Sequence, residues 1–241
     1  MARLFGTDGV RGIANVELTC EMAYRLGQAA AIYLGKTIVV GRDTRRSGDM
    51  LGAALSAGIM SAGGTVLEAG IIPTPGVALL VREMRAAGGA VISASHNPPE
   101  YNGIKFFDAQ GFKLPDAVED EIEAFIVNGG LEGEVAAAEE AAWSAAQAAA
   151  PDAPADATSY LASEIKMPAG AEVGVVIPLE NACDIYIDHA ARSIEEQGIS
   201  FKGLRIALDT GHGASSLTSP EALRRMGAEV DYVVKGVDQE S

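Results

Sequence analysis

The stretch VISASHNPPEYNGIKFF, residues 91–107, joins two apolar runs through a serine, a histidine and an Asn-Pro-Pro turn. After a break at Gly88-Gly89, Val91 and Ile92 read as a short buried strand. Asn97 to Pro99 force the chain out of it, and Gly103 to Phe107 read as the next strand. Ser95 is thereby predicted at a strand end on a constrained loop, where functional residues concentrate. Lys105 sits inside Ile104-Lys105-Phe106-Phe107, and a lysine in such a run needs a solvent-facing position or an anionic partner. Ser95 together with Lys105 points to phosphoryl chemistry more than acyl chemistry. Adjacent residues rarely face each other well enough for Ser95-His96 to begin a hydrolase triad, and the sequence has no Gly-x-Ser-x-Gly elbow. Spacing alone also leaves open a structural role, with the hydroxyl closing a local turn bond.

Upstream, strands alternate with amphipathic helices. Leu18, Met22, Leu26, Ala30 and Tyr33 recur at helical spacing after Thr19, an N-cap candidate, and Lys36 to Val40 reads as a strand of β-branched residues. Ser47 opens a second helix that ends near Gly63-Gly64, and Thr65 to Leu67 form another strand. Pro75 begins a helix toward Ala87, and Pro115 begins one toward Val127. Gly103 to Leu114, with Ala109-Gln110-Gly111 between two apolar runs, reads as a hairpin, so the sheet is expected to be mixed. The pattern predicts an α/β fold of three layers, α/β/α.

Residues 1–128 are read as this first domain, 129–172 as a linker or insertion, and 173–241 as part of a second α/β domain that is incomplete. The middle segment is Ala-rich and holds eight Asp or Glu against one Lys. Its early part suits a helix until Pro151 and Pro154 stop it. Trp143, the only tryptophan, is expected to dock on a neighbouring domain. In the third segment Leu179, Ala182, Cys183, Tyr186, Ala190 and Ile194 mark one helix face. Leu204 to Leu208 and Glu229 to Val234 read as strands around a helix from Pro220 to Met226. His189, on the predicted helix, is assigned to structure or solvent.

The 241 residues carry a formal net charge of −15, and both nucleic acid and anionic membrane ask for a basic footprint that this chain lacks. No apolar run approaches the roughly 20 residues of a membrane span. Met1 leads into Gly-Thr-Asp-Gly with no apolar leader core, and Cys20 and Cys183 lack metal or redox spacing, so a cytoplasmic setting is expected.

The run ISASHNPPEYNGIKFF resembles the active-site serine loop of the α-D-phosphohexomutase superfamily. The amino-terminal RLFGTDGVRGIAN is similar to the opening of its phosphoglucosamine mutases, and Gly41-Arg42-Asp43-Thr44-Arg45-Arg46-Ser47-Gly48 and Ile72-Pro73-Thr74-Pro75 also match the family pattern. The resemblance implies that Ser95 carries the phosphoryl group donated to a sugar and taken back. It implies that His96 and Lys105 assist proton transfer, that Arg11 lies near the phosphoserine, and that the Ser95 phosphate gives one ligand to Mg²⁺. Asn97, Tyr101 and Asn102 join Arg11 and Lys105 as expected phosphate or substrate contacts.

The residue types suit that chemistry: phosphoryl transfer asks for positioning and countercharge, a guanidinium clamps phosphate oxygens, and an ammonium can shuttle a proton. Arg42, Arg45 and Arg46 are expected to shape the loop over the cleft or make an interdomain contact, without touching substrate. Leu204 to Ala214 resembles the start of the family's second domain, where Asn commonly stands at the position of His212. His212 is either a pocket residue or a hydrogen-bonded loop histidine.

No acidic metal loop of the family's kind occurs in the sequence, so the metal's carboxylate ligands are absent. The chain is expected to be an amino-terminal portion with negligible activity of its own. A hexose phosphate is the expected ligand, and a homodimer or further carboxyl-terminal domains the expected partners. The leading reading is interconversion of glucosamine 6-phosphate and glucosamine 1-phosphate through a 1,6-bisphosphate. Glucose or mannose phosphates, or a noncatalytic assembly module, are the alternatives.

Overall fold

A computed structural model describes residues 3–6, 9–149 and 167–232. Among them a six-stranded mixed sheet runs in the order β1-β5-β4-β2-β3-β6. Its strands are β1 (Val10–Ile13), β2 (Thr37–Arg42), β3 (Thr65–Ile71), β4 (Gly88–Ile92), β5 (Tyr101–Phe107) and β6 (Val176–Pro178). β2 pairs in parallel with β3 and β4, and β5 runs antiparallel between β4 and β1. Helices cover both faces, which makes the three layers anticipated from the alternating pattern. On one face α1 (Cys20–Ala29), α2 (Ser47–Ser61) and α4 (Asp116–Val127) enclose a core that includes Leu26, Leu55, Ile92, Ile104 and Phe125. On the other, α3 (Thr74–Glu83) and α6 (Ala182–Glu195) pack over Val39, Ile72, Val77 and Val91.

Local chemistry explains the element starts. Thr19 caps α1 by accepting a hydrogen bond from the Met22 amide at 3.2 Å, a contact worth about 1 kcal/mol. Pro73 and Pro115 hold extended backbone immediately before α3 and α4, where a missing N–H costs nothing. α1 and α2 meet at backbone distance. A Cβ on Gly58 would lie 1.9 Å from the Tyr24 carbonyl oxygen, and one on Gly27 would lie 2.1 Å from that of Leu55.

Several expectations are corrected. Gly88 and Gly89 do not break β4 but lie inside it, fully buried, because Gly89 lets α3 approach until an added Cβ would sit 2.5 Å from Val81. The 103–114 hairpin reduces to one antiparallel bridge, Phe107 to Lys113, after a turn in which the Asp108 side chain accepts from the Gln110 and Phe112 amides. β1 and β6 were not foreseen. β6 lies in the segment assigned to a second domain, yet it pairs in parallel with β3 of the first sheet.

α5 (Gly130–Ala149) starts where the linker was expected. Its first turn docks on α1: the Gln28 amide donates to both Glu132 carboxylate oxygens and accepts from the Leu131 amide. Burial raises the Glu132 pKa, but the hydrogen bonds from Gln28 and Tyr24 outweigh it and leave the carboxyl below its ordinary value. Pro151 and Pro154 lie outside the described residues, and so does the side chain of Trp143.

A second, two-stranded parallel sheet pairs β7 (Arg205–Leu208) with β8 (Glu229–Tyr232), with α7 (Ser219–Arg225) between them in sequence. Among the described residues no helix is long and apolar enough to cross a membrane.

Candidate active site

The serine loop leaves the sheet in steps. β4 ends at Ile92, whose carbonyl accepts from the Asp43 amide at 3.0 Å, and the Ser93 amide donates to the Gly103 carbonyl at 2.8 Å. The loop then turns twice, with the Asn97 amide bonded to the Ala94 carbonyl and the Tyr101 amide to the Pro98 carbonyl. Between these anchors Ser95 takes φ +58, the left-handed region that a side chain other than glycine's enters at a cost of about 1 kcal/mol or more. Its side chain is exposed, on a backbone fixed at both ends.

Arg45 binds the backbone of this loop. Its Nη1 donates to the Pro98 carbonyl at 2.7 Å and the Tyr101 carbonyl at 3.0 Å, and its Nη2 donates to the Ser95 carbonyl at 2.9 Å and the Asn97 carbonyl at 2.8 Å. Its Nε donates to Asp43 at 3.0 Å, so each of the five guanidinium N–H groups has an acceptor. The same Asp43 oxygen accepts the Ser93 hydroxyl at 2.7 Å, and Ser93 Oγ in turn accepts the Ser95 amide at 3.1 Å. Asp43 and Ser93 are buried, so this chain of bonds is sheltered from water.

Ser95 opens on a cavity of about 240 Å³ lined by Thr44, Arg45, Arg46, Asn97, Pro99 and the loop Gly211-His212-Gly213. His212 has φ +54, a second left-handed residue on the same cavity, and its carbonyl accepts the Thr44 hydroxyl. Arg46 is exposed, and no carboxylate among the described residues lies within ion-pair distance of it. The loop from Thr44 to Arg46 also precedes the amino end of α2, where the helix dipole favours an anion.

The structure places the other predicted residues unequally. His96 is exposed, with Nδ1 3.4 Å from Ser95 Oγ, longer than the 2.6–3.2 Å of an efficient proton transfer. Asn97 lines the cavity, whereas Tyr101 takes part through its backbone carbonyl. Asn102 turns inward: fully buried, it donates to Ser47 Oγ at the head of α2 and accepts from the Gly103 amide, which commits the side chain to the scaffold.

Arg11 pairs with Gly103 across β1 and β5, and Lys105 follows two residues along β5. Both therefore share one sheet face, the face on which Ser93 lies opposite Gly103. An added Cβ on Gly103 would touch Arg11 Cγ at 2.9 Å and the Ser93 carbonyl oxygen at 2.8 Å, which puts the Arg11 stem beside the root of the serine loop. Lys105 lines a separate cavity of about 200 Å³ with Thr74, Lys113 and Glu119.

Sequence reasoning missed Ser93. The signal available was parity: Ser93 stands two residues before Ser95, on the side of the strand that β alternation turns toward the loop.

Residues 2–132 match the phosphoglucomutase/phosphomannomutase alpha/beta/alpha domain I. The chain belongs to this family. It is 45% identical over 235 residues to a phosphoglucosamine mutase of Heliobacterium modesticaldum, covering 95% of this chain and 47% of that protein. It is 46% identical over 236 residues to a phosphoglucosamine mutase of Carboxydothermus hydrogenoformans, covering 95% of this chain and 45% of the relative. A phosphoglucomutase/phosphomannomutase family protein of Burkholderia thailandensis superposes with a TM-score of 0.71 over 98% of this chain and 45% of that one; at 22% identity it supports the fold alone. The chain spans about half the length of the curated relatives it matches.

The Mg²⁺ expected from the family resemblance does not fit the described residues by themselves. Among them no group of three or more His, Cys, Asp or Glu side chains could hold a metal, and Asp43, the carboxylate lining the serine cavity, already accepts from Arg45 and Ser93.

Proposed function

We propose that this chain carries the phosphoryl-exchanging serine of a phosphosugar mutase acting on glucosamine phosphates. The observation that carries the reading is Ser95, in a left-handed conformation on a loop bound by a saturated guanidinium, at the mouth of a cavity that also presents Arg46. A rigid hydroxyl beside a cationic group suits a group transfer in which negative charge spreads over the phosphoryl oxygens. The similarity to phosphoglucosamine mutases supports the choice of amino sugar.

In this reading phospho-Ser95 passes its phosphoryl group to the 1-hydroxyl of glucosamine 6-phosphate. The Oγ–P bond breaks as the sugar O–P bond forms, and the hydroxyl proton returns to the serine side. The 6-phosphoryl group of the resulting 1,6-bisphosphate then moves back to Ser95, and glucosamine 1-phosphate leaves. Arg11, its stem beside the root of the serine loop, supplies countercharge from the adjoining sheet face; Lys105, on the same face but lining a separate cavity, does so only where the bound sugar phosphate reaches across both, and His96 moves to a shorter distance if it carries the proton. Any Mg²⁺ would take phospho-Ser95 as one ligand and draw the others from groups not among the described residues. Two free cysteines, Cys20 and Cys183, suit a reducing cytoplasmic setting.

Intact mass of the chain purified without phosphatase tests this. A fraction heavier by one phosphoryl group, absent in Ser95→Ala, is expected. Protein that never carries the group, even after incubation with a hexose 1,6-bisphosphate, sinks the reading.

A further inference from the structure

The five-donor arrangement around Arg45 has no ligand-facing member. Four N–H groups end on the carbonyls of Ser95, Asn97, Pro98 and Tyr101, and the fifth on Asp43, so none remains for a phosphate. The side chain is 11% exposed, the same as that of its partner Asp43. Four carbonyls converging on one cation would repel one another without it, and Ser95 could then relax out of its left-handed conformation. A lysine has three donors on a single point charge and cannot span the four carbonyls and the carboxylate together.

We propose that Arg45 is a positioning residue for phosphoryl exchange: it sets the Ser95 hydroxyl by binding the serine loop's backbone and does not bind the sugar phosphate. This rests on the phosphosugar reading of Ser95. In the step concerned, the Ser95 Oγ–P bond forms as the P–O bond to the sugar breaks, and the serine proton ends on the sugar oxygen as a hydroxyl.

The test uses the 241-residue chain, stripped with phosphatase and incubated with glucose 1,6-bisphosphate in magnesium-containing buffer, while phosphoserine formation is followed by intact mass. Arg45→Lys should take up the group about 100-fold more slowly at saturating bisphosphate, the scale expected from a small misplacement of a reacting group. The half-saturating concentration should move by less than about threefold, because uniform binding is untouched. Added guanidinium should restore part of the rate to Arg45→Ala. Amides from Ser95 to Tyr101 should exchange with deuterium about tenfold faster in Arg45→Lys, with those of β4 unchanged.

A raised half-saturation at an unchanged maximal rate would make Arg45 a ligand contact and overturn the proposal. Unchanged rate and loop exchange, or faster exchange spread equally through β4, would overturn it too. If the unsubstituted chain takes up no phosphoryl group, the mutase reading fails separately and the loop exchange alone decides the role of Arg45.

Discussion

The two sheets of this chain are stabilised differently. In the larger one, all five residues of β4 are buried and two apolar clusters lie on opposite faces. In the smaller one, the residues of β7 alternate between exposed and half-buried, and Leu204 and Leu217 nearby are 50% and 52% exposed. Both contribute a left-handed residue to the Ser95 cavity, but Ser95 stands on a packed scaffold and His212 on a thin one. Chemistry that needs a fixed atom belongs on the first.

Glycine substitutions expose the contrast most sharply. Gly58→Ala drives a Cβ to within 1.9 Å of the Tyr24 carbonyl oxygen, and α1 and α2 cannot separate without opening the core between them. A loss of about 3 kcal/mol is expected from such overpacking, read as a lower urea midpoint by circular dichroism. An unchanged midpoint would show that the helices are not in backbone contact. Asp43→Ala comes next. It leaves the Ser93 hydroxyl and the Arg45 Nε without their acceptor in a buried setting, at a cost of about 2 kcal/mol, and should speed deuterium uptake in the serine loop.

In the smaller sheet the same kind of change should be milder. Gly211 has φ +55, but an added Cβ would meet nothing within 4 Å. Gly211→Ala therefore adds only backbone strain, about 1 kcal/mol, confined to faster exchange across residues 205–232. Exchange rising equally in β4 would mean that the two sheets unfold as one unit.

The sequence was most readable where side chains signal by periodicity. Thr19, the face from Leu18 to Ala30, Pro75 in the first turn of α3 and Pro115 before α4 gave the helices, and β-branched runs gave β2 and β3. β1 was hidden because Val10–Ile13 contains an arginine and a glycine and acquires meaning only from its pairing with β5. The approach of Gly27 and Gly58 was hidden for another reason: a residue without a side chain adds nothing to a hydrophobic pattern. At the site, the loop and Ser95 were legible from the Asn-Pro-Pro turn. The network of Arg45 was not, since four of its five acceptors lie some fifty residues further along the chain and are backbone atoms. Asn102 misled because an asparagine in a suspected binding loop looks the same whether it faces a ligand or the head of a helix.

The smallest predicted effect separates the ion pairs of the two regions. Arg225 of α7 bridges Asp184 and Asp188 on α6 and Glu221 on its own helix, all well exposed, and those contacts hold its pKa above the ordinary arginine value. Arg225 stays charged as pH rises from 8 through the lysine range, so it adds no pH dependence there; salt should screen whatever it contributes. Lys113 differs because its partner Glu119 has a side chain only 5% exposed, 3.0 Å away. The hydrogen bond to Glu119, aided by Asp116, raises the Lys113 pKa above its ordinary value despite some burial of the ammonium. A raised lysine pKa stabilises the fold fully below the unfolded value near 10.5, and the contribution disappears as pH climbs through the folded value. Since the lysine side chain is 45% exposed, solvent screening keeps this below about 1 kcal/mol. The gap in urea midpoint between the unsubstituted chain and Lys113→Met should therefore be open at pH 8 and close above the lysine range, while the gap for Arg225→Met stays flat with pH and shrinks with salt. If instead the Lys113 gap widened as pH rose, the stabilising form would be the neutral amine, and the ion pair with Glu119 would not be what holds the side chain.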